Sequence, residues 1–424
     1  MPTASVKLAR SHVRWQVVAA LFSLSFLTIV DRVCISAAKN DMSRDLGLSD
    51  VTFGWVFGVF ALGYAVFQIP SGRLVDRYGP RTLLAAIVLL WSLLTGATGL
   101  VYGSVVLIAV RFLFGLAEAG AYPAAGRASY NWLPTRERGV AQGIVFAGSR
   151  LGAAFGLAVM SLSVERLGWR PSFWVLGIIG IFWAACWFLW FRDYALEKRG
   201  VSQAELEHIG AGRPAGEAVR EPVRWRALLL APGVPSLLVQ YFASNFTFFL
   251  CFSWLLPYLR SRYGLTAGEA GVYASVPLYF GAFANWISGM AVDALYKRGY
   301  PRWSRVGPAI AGFALATVAL IAAASMPSVR GAVFFFALAT LGVDLTLSPS
   351  WTACMDIAGK HTGTLSGAMN MMGNIGSFAS SVTFPYLLNL TSSPKTYFYV
   401  AAVLNMAAIA CWLRVRPREV RNSQ

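Results

Sequence analysis

Five ionisable residues stand where the chain is otherwise apolar. Asp31 and Arg32 interrupt FLTIVDRVCISAA (26–38), Arg111 and Glu118 lie in VRFLFGLAEAGAYPAAGR (110–127), and Arg150 lies in FAGSRLGAAFG (146–156). Arg111, Gly115 and Glu118 are spaced i, i+4, i+7 and share one face of a helix. Arginine keeps its charge, and its planar fork matches a carboxylate bidentately, so Arg32, Arg111 and Arg150 are candidates to hold an anion. A carboxyl group can exchange a proton with an affinity set by its surroundings, which makes Asp31 and Glu118 candidate proton carriers. Asp31 next to Arg32 is expected to couple proton and anion by sharing one electrostatic environment. Buried ion pairs that only hold helices together would use the same residue types, although desolvation offsets much of their attraction.

Such groups need elements that carry them into a low-dielectric interior. The chain has 424 residues, 57% hydrophobic and only 13% charged, against about 25% charged in soluble proteins. Its mean hydropathy is +0.57. Apolar runs of roughly 20 residues, each able to cross a ~30 Å hydrocarbon layer, recur from end to end. The expected fold is an all-α membrane protein of twelve transmembrane helices, at about 15–37, 51–71, 82–102, 105–128, 139–162, 171–191, 234–258, 268–291, 304–326, 330–352, 363–389 and 396–414. The first run is too long for a cleaved signal peptide and lacks a small-residue cleavage site. Counted along these spans, Asp31, Arg32 and Arg111 fall in the outer half of the membrane, with Glu118 and Arg150 near its middle. A charge at the bilayer centre costs at least ~2.5–3.5 kcal/mol, so it normally faces the bundle interior and has a task.

The net charge of +17 is distributed as a topology signal. With the N-terminus in the cytoplasm, most of the 36 Lys and Arg fall in cytoplasmic segments, as the positive-inside bias requires. Arg192, Lys198, Arg199, Arg213, Arg220, Arg224 and Arg226 cluster between spans six and seven. The basic balance therefore points to an anionic inner leaflet, with no nucleic-acid partner expected. Cys34, Cys186, Cys251, Cys354 and Cys411 all fall in spans without metal-like spacing, and His12, His208 and His361 fall in loops, so neither metal nor cofactor is expected. There is no Gly-x-Ser-x-Gly, no His-Glu-x-x-His and no Walker A stretch, which argues against an enzyme or an ATP-driven pump.

The chain also repeats itself. A shift of 217 residues lays SGRLVDRYG (71–79) on SGMAVDALY (288–296) and RDLGLSD (44–50) on SRYGLTA (261–267); a shift of 224 lays GVAQGIVFAGSRLG (139–152) on GTLSGAMNMMGNIG (363–376). The expected organisation is an N-terminal six-helix bundle (1–191), a polar cytoplasmic linker (192–230) and a C-terminal six-helix bundle (231–424), with a site between the bundles near the midplane. On these shifts the charges at 31, 32 and 150 have apolar or neutral counterparts. Neutral polar candidates for contacts to a ligand are Tyr64 and Gln68 on span two, Asn245 on span seven, Ser350 and Trp351 ending span ten, and Asn370 and Asn374 on span eleven. Helix-to-helix hydrogen bonds are the other use of each. Asp344 on span ten stands alone, and Arg127 is placed where its side chain can snorkel.

GRLVDRYGPR (72–81), between spans two and three, resembles the loop signature of the major facilitator superfamily: Gly72, Leu74, Asp76, Arg77, Gly79 and Arg81 all fit. Asp76 is expected to pair with Arg77 or Arg81. The resemblance implies a gating role for Gly72, Asp76, Arg77 and Arg81. Within that superfamily Asp31-Arg32, RFLFGLAEAGAYPA (111–124) and WLPTRERGVAQG (132–143) are similar to the anion:cation symporters, which include hexuronate, galactonate, glucarate and phthalate permeases and sialin-type carriers. This implies proton coupling and carboxylate binding at Asp31, Arg32, Arg111 and Glu118. Arg150 stands where some sugar-acid permeases have glutamine, and a further cation would suit a dicarboxylate. The expected function is proton-coupled uptake of a small organic anion, a sugar acid or another carboxylate, by alternating access, with an exchanger or a Na⁺-coupled carrier as the alternative. The expected setting is a monomer in the inner membrane with both termini cytoplasmic.

Overall fold

The structure is a computed structural model that describes residues 11–48, 50–210, 228–250, 255–265 and 267–415. Cys251 and residues 211–227 of the expected linker, with Arg213, Arg220, Arg224 and Arg226, lie outside the described residues. The rest is helical: α1 (Val13–Leu46), α2 (Asp50–Tyr78), α3 (Pro80–Thr98), α4 (Ser104–Glu118), α5 (Ala121–Trp132), α6 (Arg138–Leu167), α7 (Trp169–Trp190), α8 (Gln203–Gly210), α9 (Val234–Phe249), α10 (Leu255–Tyr263), α11 (Ala267–Lys297), α12 (Pro301–Ala323), α13 (Val329–Asp344), α14 (Leu347–Ala358), α15 (Thr362–Thr391) and α16 (Lys395–Arg414). Among the described residues, eight helical stretches are long and apolar enough to cross a membrane, one of them the 52-residue stretch Val329–Ser380. Large side chains such as Ile178, Phe182 and Leu189 on α7 are exposed, the surface a hydrocarbon solvent accepts and water does not.

Two spans expected to be continuous are broken. α4 stops at Glu118 and α5 restarts at Ala121; α13 stops at Asp344 and α14 restarts at Leu347. The cause is in the sequence. Pro123 and Pro349 occupy the third position of each restarted helix. A proline has no N–H to give to the carbonyl four residues earlier, here Ala119 and Leu345, which lie in the breaks. Each break thus begins just beyond a buried carboxylate.

Helices before residue 192 pack mainly on one another, α1 on α6, α3 on α7 and α2 on α4; those after 233 do likewise, α9 on α15 and α12 on α13 and α16. Two long pairs join the groups, α6 with α11 and α2 with α15. Glycines let the backbones approach: a Cβ on Gly143 would stand 2.5 Å from the Asn285 carbonyl oxygen, and one on Gly367 2.5 Å from that of Gln68.

The end of the bundle that carries Ser11, α8 and Val415 is the base, and the opposite end is the mouth. At the base, Asp76 does not pair with Arg77 or Arg81. Its carboxylate accepts hydrogen bonds from the Gly363 N–H (2.9 Å), the Thr364 N–H (2.7 Å) and the Thr364 hydroxyl (2.6 Å), at the start of α15. Helix starts carry orphan N–H groups and a partial positive charge, which an aspartate satisfies better than an exposed cation does. Arg77 instead stands over Tyr78, and Arg81 donates to the Phe188 carbonyl at 3.0 Å. The sharp turn that aims Asp76 is made by Gly79, at φ +83°, with Pro80 opening α3. Asp293, the 217-residue counterpart of Asp76, accepts from the Gly139 N–H (2.9 Å) and the Val140 N–H (2.8 Å) at the start of α6. Arg127 does not snorkel but is buried and donates to the Gly359 carbonyl at 3.3 Å.

The expected linker contains a docked helix. Glu205 on α8 accepts from Arg14 Nη1 (3.0 Å), the Arg14 and Val13 N–H groups and the Ser11 hydroxyl. Glu137 takes Arg14 Nε at 2.7 Å and meets His208 Nε2 at 2.7 Å.

Candidate functional site

α1 brings Arg32 against α4, where its Nε donates to Glu118 Oε1 at 2.8 Å. The Glu118 side chain is fully buried and that of Arg32 is 25% exposed, so the arginine is the member of the pair that a solute can reach. Its guanidinium lies over the rings of Tyr64 (4.6 Å) and Phe60 (5.3 Å) on α2. Asp31 does not touch Arg32 but lies within electrostatic reach of Glu118. Adjacent residues on a helix point about 100° apart, and Asp31 faces away, toward Trp91 and Thr95 on α3 and Arg111 on α4. It is buried, and neither carboxylate oxygen has a hydrogen-bond partner among the described residues. Arg111 is buried as well, with the rings of Phe60 (5.1 Å) and Phe114 (4.7 Å) beside its guanidinium and no hydrogen-bond partner for its Nε among the described residues. Arg32 thus pairs with Glu118, while Asp31 and Arg111 lie within electrostatic reach of each other and of Glu118 without an ion pair between them among the described residues.

Arg150 on α6 reaches into the second group of helices. Its Nε donates to Asp344 Oδ2 at 2.9 Å and its Nη2 to Oδ1 at 2.6 Å, a bidentate pair, with Phe248 4.0 Å from the guanidinium. Asp344, solitary in the sequence, thus has its partner in the other half of the chain. Sequence reasoning left Asp344 alone because the two shifts it used do not match its span. The prolines carry the missing signal: laying Pro123 on Pro349 puts Glu118 on Asp344.

Between the two pairs stands Tyr122, within electrostatic reach of both Arg32 and Arg150. Its ring stacks on Phe146 (5.8 Å), which meets Trp351 (5.4 Å), whose Nε1 donates to the Tyr241 hydroxyl at 3.0 Å. Tyr122 and Tyr241 were not singled out from sequence, since aromatics are common in the chain and nothing in their spacing marks them.

The neutral candidates are largely engaged with the protein. Asn245 donates to the Tyr241 carbonyl (2.9 Å) and Asn374 to that of Asn370 (2.8 Å), each one turn back on its own helix. Asn370 donates to the Tyr64 hydroxyl across the groups at 3.2 Å. Ser350 is buried between Gln240 and the Thr346 carbonyl, so it and Trp351 join helices. Gln68 is buried, and neither atom of its amide has a partner among the described residues. Gly72 packs against the Gly363 carbonyl.

Residues 21–381 match the model of the Major Facilitator Superfamily. The chain belongs to that superfamily. It is accordingly a multi-pass membrane transporter and not an enzyme. Among its relatives is the protein named "Probable sulfoacetate transporter SauU" of Cupriavidus necator, 30% identical over 404 residues, with 95% of this chain and 94% of that one covered. The "Probable galactarate/D-glucarate transporter GudP" of Bacillus subtilis is 29% identical, covering 95% and 92%. The "D-galactonate transporter" of Escherichia coli is 29% identical, covering 95% of each. Among solved structures, the facilitator FucP in the outward conformation superposes with a TM-score of 0.72 at 13% identity, covering 94% of this chain and 98% of that one. The human organic anion transporter MFSD10 superposes at 0.75 and 12%, covering 95% and 100%. This superfamily member shares their fold.

Proposed function

We propose that this facilitator is a secondary active transporter that takes up a small organic anion together with protons, by alternating access between two six-helix bundles (1–191 and 231–424) joined by a cytoplasmic linker (192–230). The observation that carries the reading is the Arg32–Glu118 pair: a reachable guanidinium whose present partner is a fully buried carboxylate. A substrate carboxylate that takes the Arg32 fork leaves Glu118 without its counter-charge, and a proton on Glu118 removes the cost of that loss. Each ligand then favours binding of the other, which is the linkage symport needs. Arg111 and Asp31 lie behind this pair and set its field. The names of the relatives, for sulfoacetate, galactarate or glucarate and galactonate, support an anionic substrate. On this reading Arg150 meets a second anionic group, Tyr64 and Asn370 line the path between the groups, and the residues Gly72, Asp76, Arg77 and Arg81 gate the base.

The base is the cytoplasmic side of the inner membrane, and the carrier works as a monomer. On this reading the Asp76 and Asp293 caps hold the base closed, and substrate enters from the mouth, the external side. The test is uptake into proteoliposomes of radiolabelled sulfoacetate, galactarate and galactonate with an imposed pH gradient, beside a Na⁺ gradient and beside counterflow without either. Accumulation driven by the pH gradient alone is the expected result. Counterflow without accumulation would make the protein an exchanger, and accumulation only with Na⁺ would replace the coupling ion.

A further inference from the structure

Asp344 repeats the design of Glu118. Each is the last residue of a helix that breaks before a proline, each is buried, and each is held by an arginine from another helix, Glu118 by Arg32 and Asp344 by Arg150. The differences matter. Arg150 grips Asp344 with two N–H groups where Arg32 gives one, and the Arg150–Asp344 pair crosses between the two groups of helices. Space for the carboxylate is provided on α11: a Cβ on Gly281 would collide with Asp344 Oδ2. Among the described residues, Arg150 supplies both hydrogen bonds that Asp344 accepts.

A carboxylate seated in an arginine fork has the contacts a ligand carboxylate would have there. We propose that Asp344 is a displaceable internal ligand: it fills the Arg150 fork in the empty carrier and yields it to the second anionic group of a short dianionic substrate, a carboxylate joined to another carboxylate or a sulfonate. This rests on the organic-anion reading above and narrows it to a substrate class. Tyr122 stands between the two forks and Tyr241 beside that of Arg150, with Phe146 and Trp351 packed on them, while Asn245, Asn374 and Ser350 spend hydrogen bonds on the protein. Two forks separated by rings suit a compact molecule with charge at both ends better than a chain of hydroxyls. Only a group with full negative charge can replace Asp344, because a neutral one would leave Arg150 uncompensated in a largely buried site. Displacing Asp344 also unties a contact between the two halves, so binding of the dianion loosens the arrangement seen here.

The experiment is calorimetric titration of the purified full-length carrier with malonate, succinate and sulfoacetate, and with propionate and D-galactonate as monoanions. Wild type is expected to bind the dianions in preference. Asp344→Asn, which removes the competitor and leaves Arg150, should raise the ratio of dianion to monoanion affinity by roughly 10-fold or more, the worth of a charged hydrogen bond. Gly281→Ala, which keeps the charge and pushes the carboxylate from its seat, should move the ratio the same way by a smaller factor, and guards against a fold lost with the aspartate. Arg150→Gln should abolish the preference. A ratio unchanged or lowered in both Asp344→Asn and Gly281→Ala would overturn the proposal and leave the pair a strut between halves. Wild type binding monoanions alone would overturn it while sparing the organic-anion reading, and binding of no anion by wild type would overturn both.

Discussion

Arg32 already holds a carboxylate, and this fixes what its substitution should do. Arg32→Lys keeps the charge but loses the fork, so anion affinity measured by calorimetry should fall roughly 10–100-fold, the worth of one charge-assisted hydrogen bond. Glu118→Gln imitates the protonated state. It should bind substrate and perform counterflow in liposomes, yet fail to accumulate substrate when the external pH is lowered; accumulation at the wild-type level would return Glu118 to a structural role. The residue types were legible in the sequence, because an ion in an apolar run has few explanations. The pairing was not. Asp31 and Arg32 look like partners on paper, but helix geometry points neighbours apart, and it takes α3 and α4 in place to show that Asp31 faces Trp91 and Arg111. Asp344 looked solitary because its partner is 194 positions away.

At the level of elements, length and apolarity marked the helices, and the interruptions in two spans were missed because the apolar pattern runs through them. Pro123 and Pro349 were the physical signal, since a proline near the start of a helix costs nothing there and costs a hydrogen bond to the turn before it. The helix inside the expected linker was hidden for another reason: α8 is short and polar, and its docking depends on contacts with residues far away in the sequence. Those contacts make a pH prediction. Burial raises the Glu205 carboxyl, but hydrogen bonds from Ser11, Arg14 and Val13 outweigh it and leave the group below its ordinary 4.5; Glu137, held by Arg14 and His208 against its own burial, is likewise lowered. A lowered folded value means stability that is complete above about pH 4.5 and lost as the pH falls through the folded value. Amides of α8 should therefore lose hydrogen-exchange protection on acidification before those of α6, and Glu205→Gln should exchange fast already at neutral pH. Equal protection in wild type and Glu205→Gln at neutral pH would mean that α8 is held by its apolar side alone.

For the whole molecule, the proposed gating by the two caps at the base can be read from a cysteine. Cys354 is buried and lies near Asp76 and Asp356, so its thiol reports on whether the base is shut. In a chain with the other cysteines replaced by serine, maleimide should label Cys354 slowly. Asp76→Asn or Asp293→Asn alone should speed labelling several-fold at most, and the two together should expose it; no change in the double variant would mean the caps do not hold the base closed. The caps have a consequence for assembly. Asp76 and Asp293 are equivalent positions of the repeat, and so are Gly139 and Gly363, Val140 and Thr364. Position 76 of one half meets position 363 of the other, while 293 meets 139. A contact in which each side offers the same two patches to the other is an isologous, two-fold interface. A six-helix unit carrying this aspartate and this helix start would hold both sides of the contact, so two copies of such a unit would form the base with no further interface.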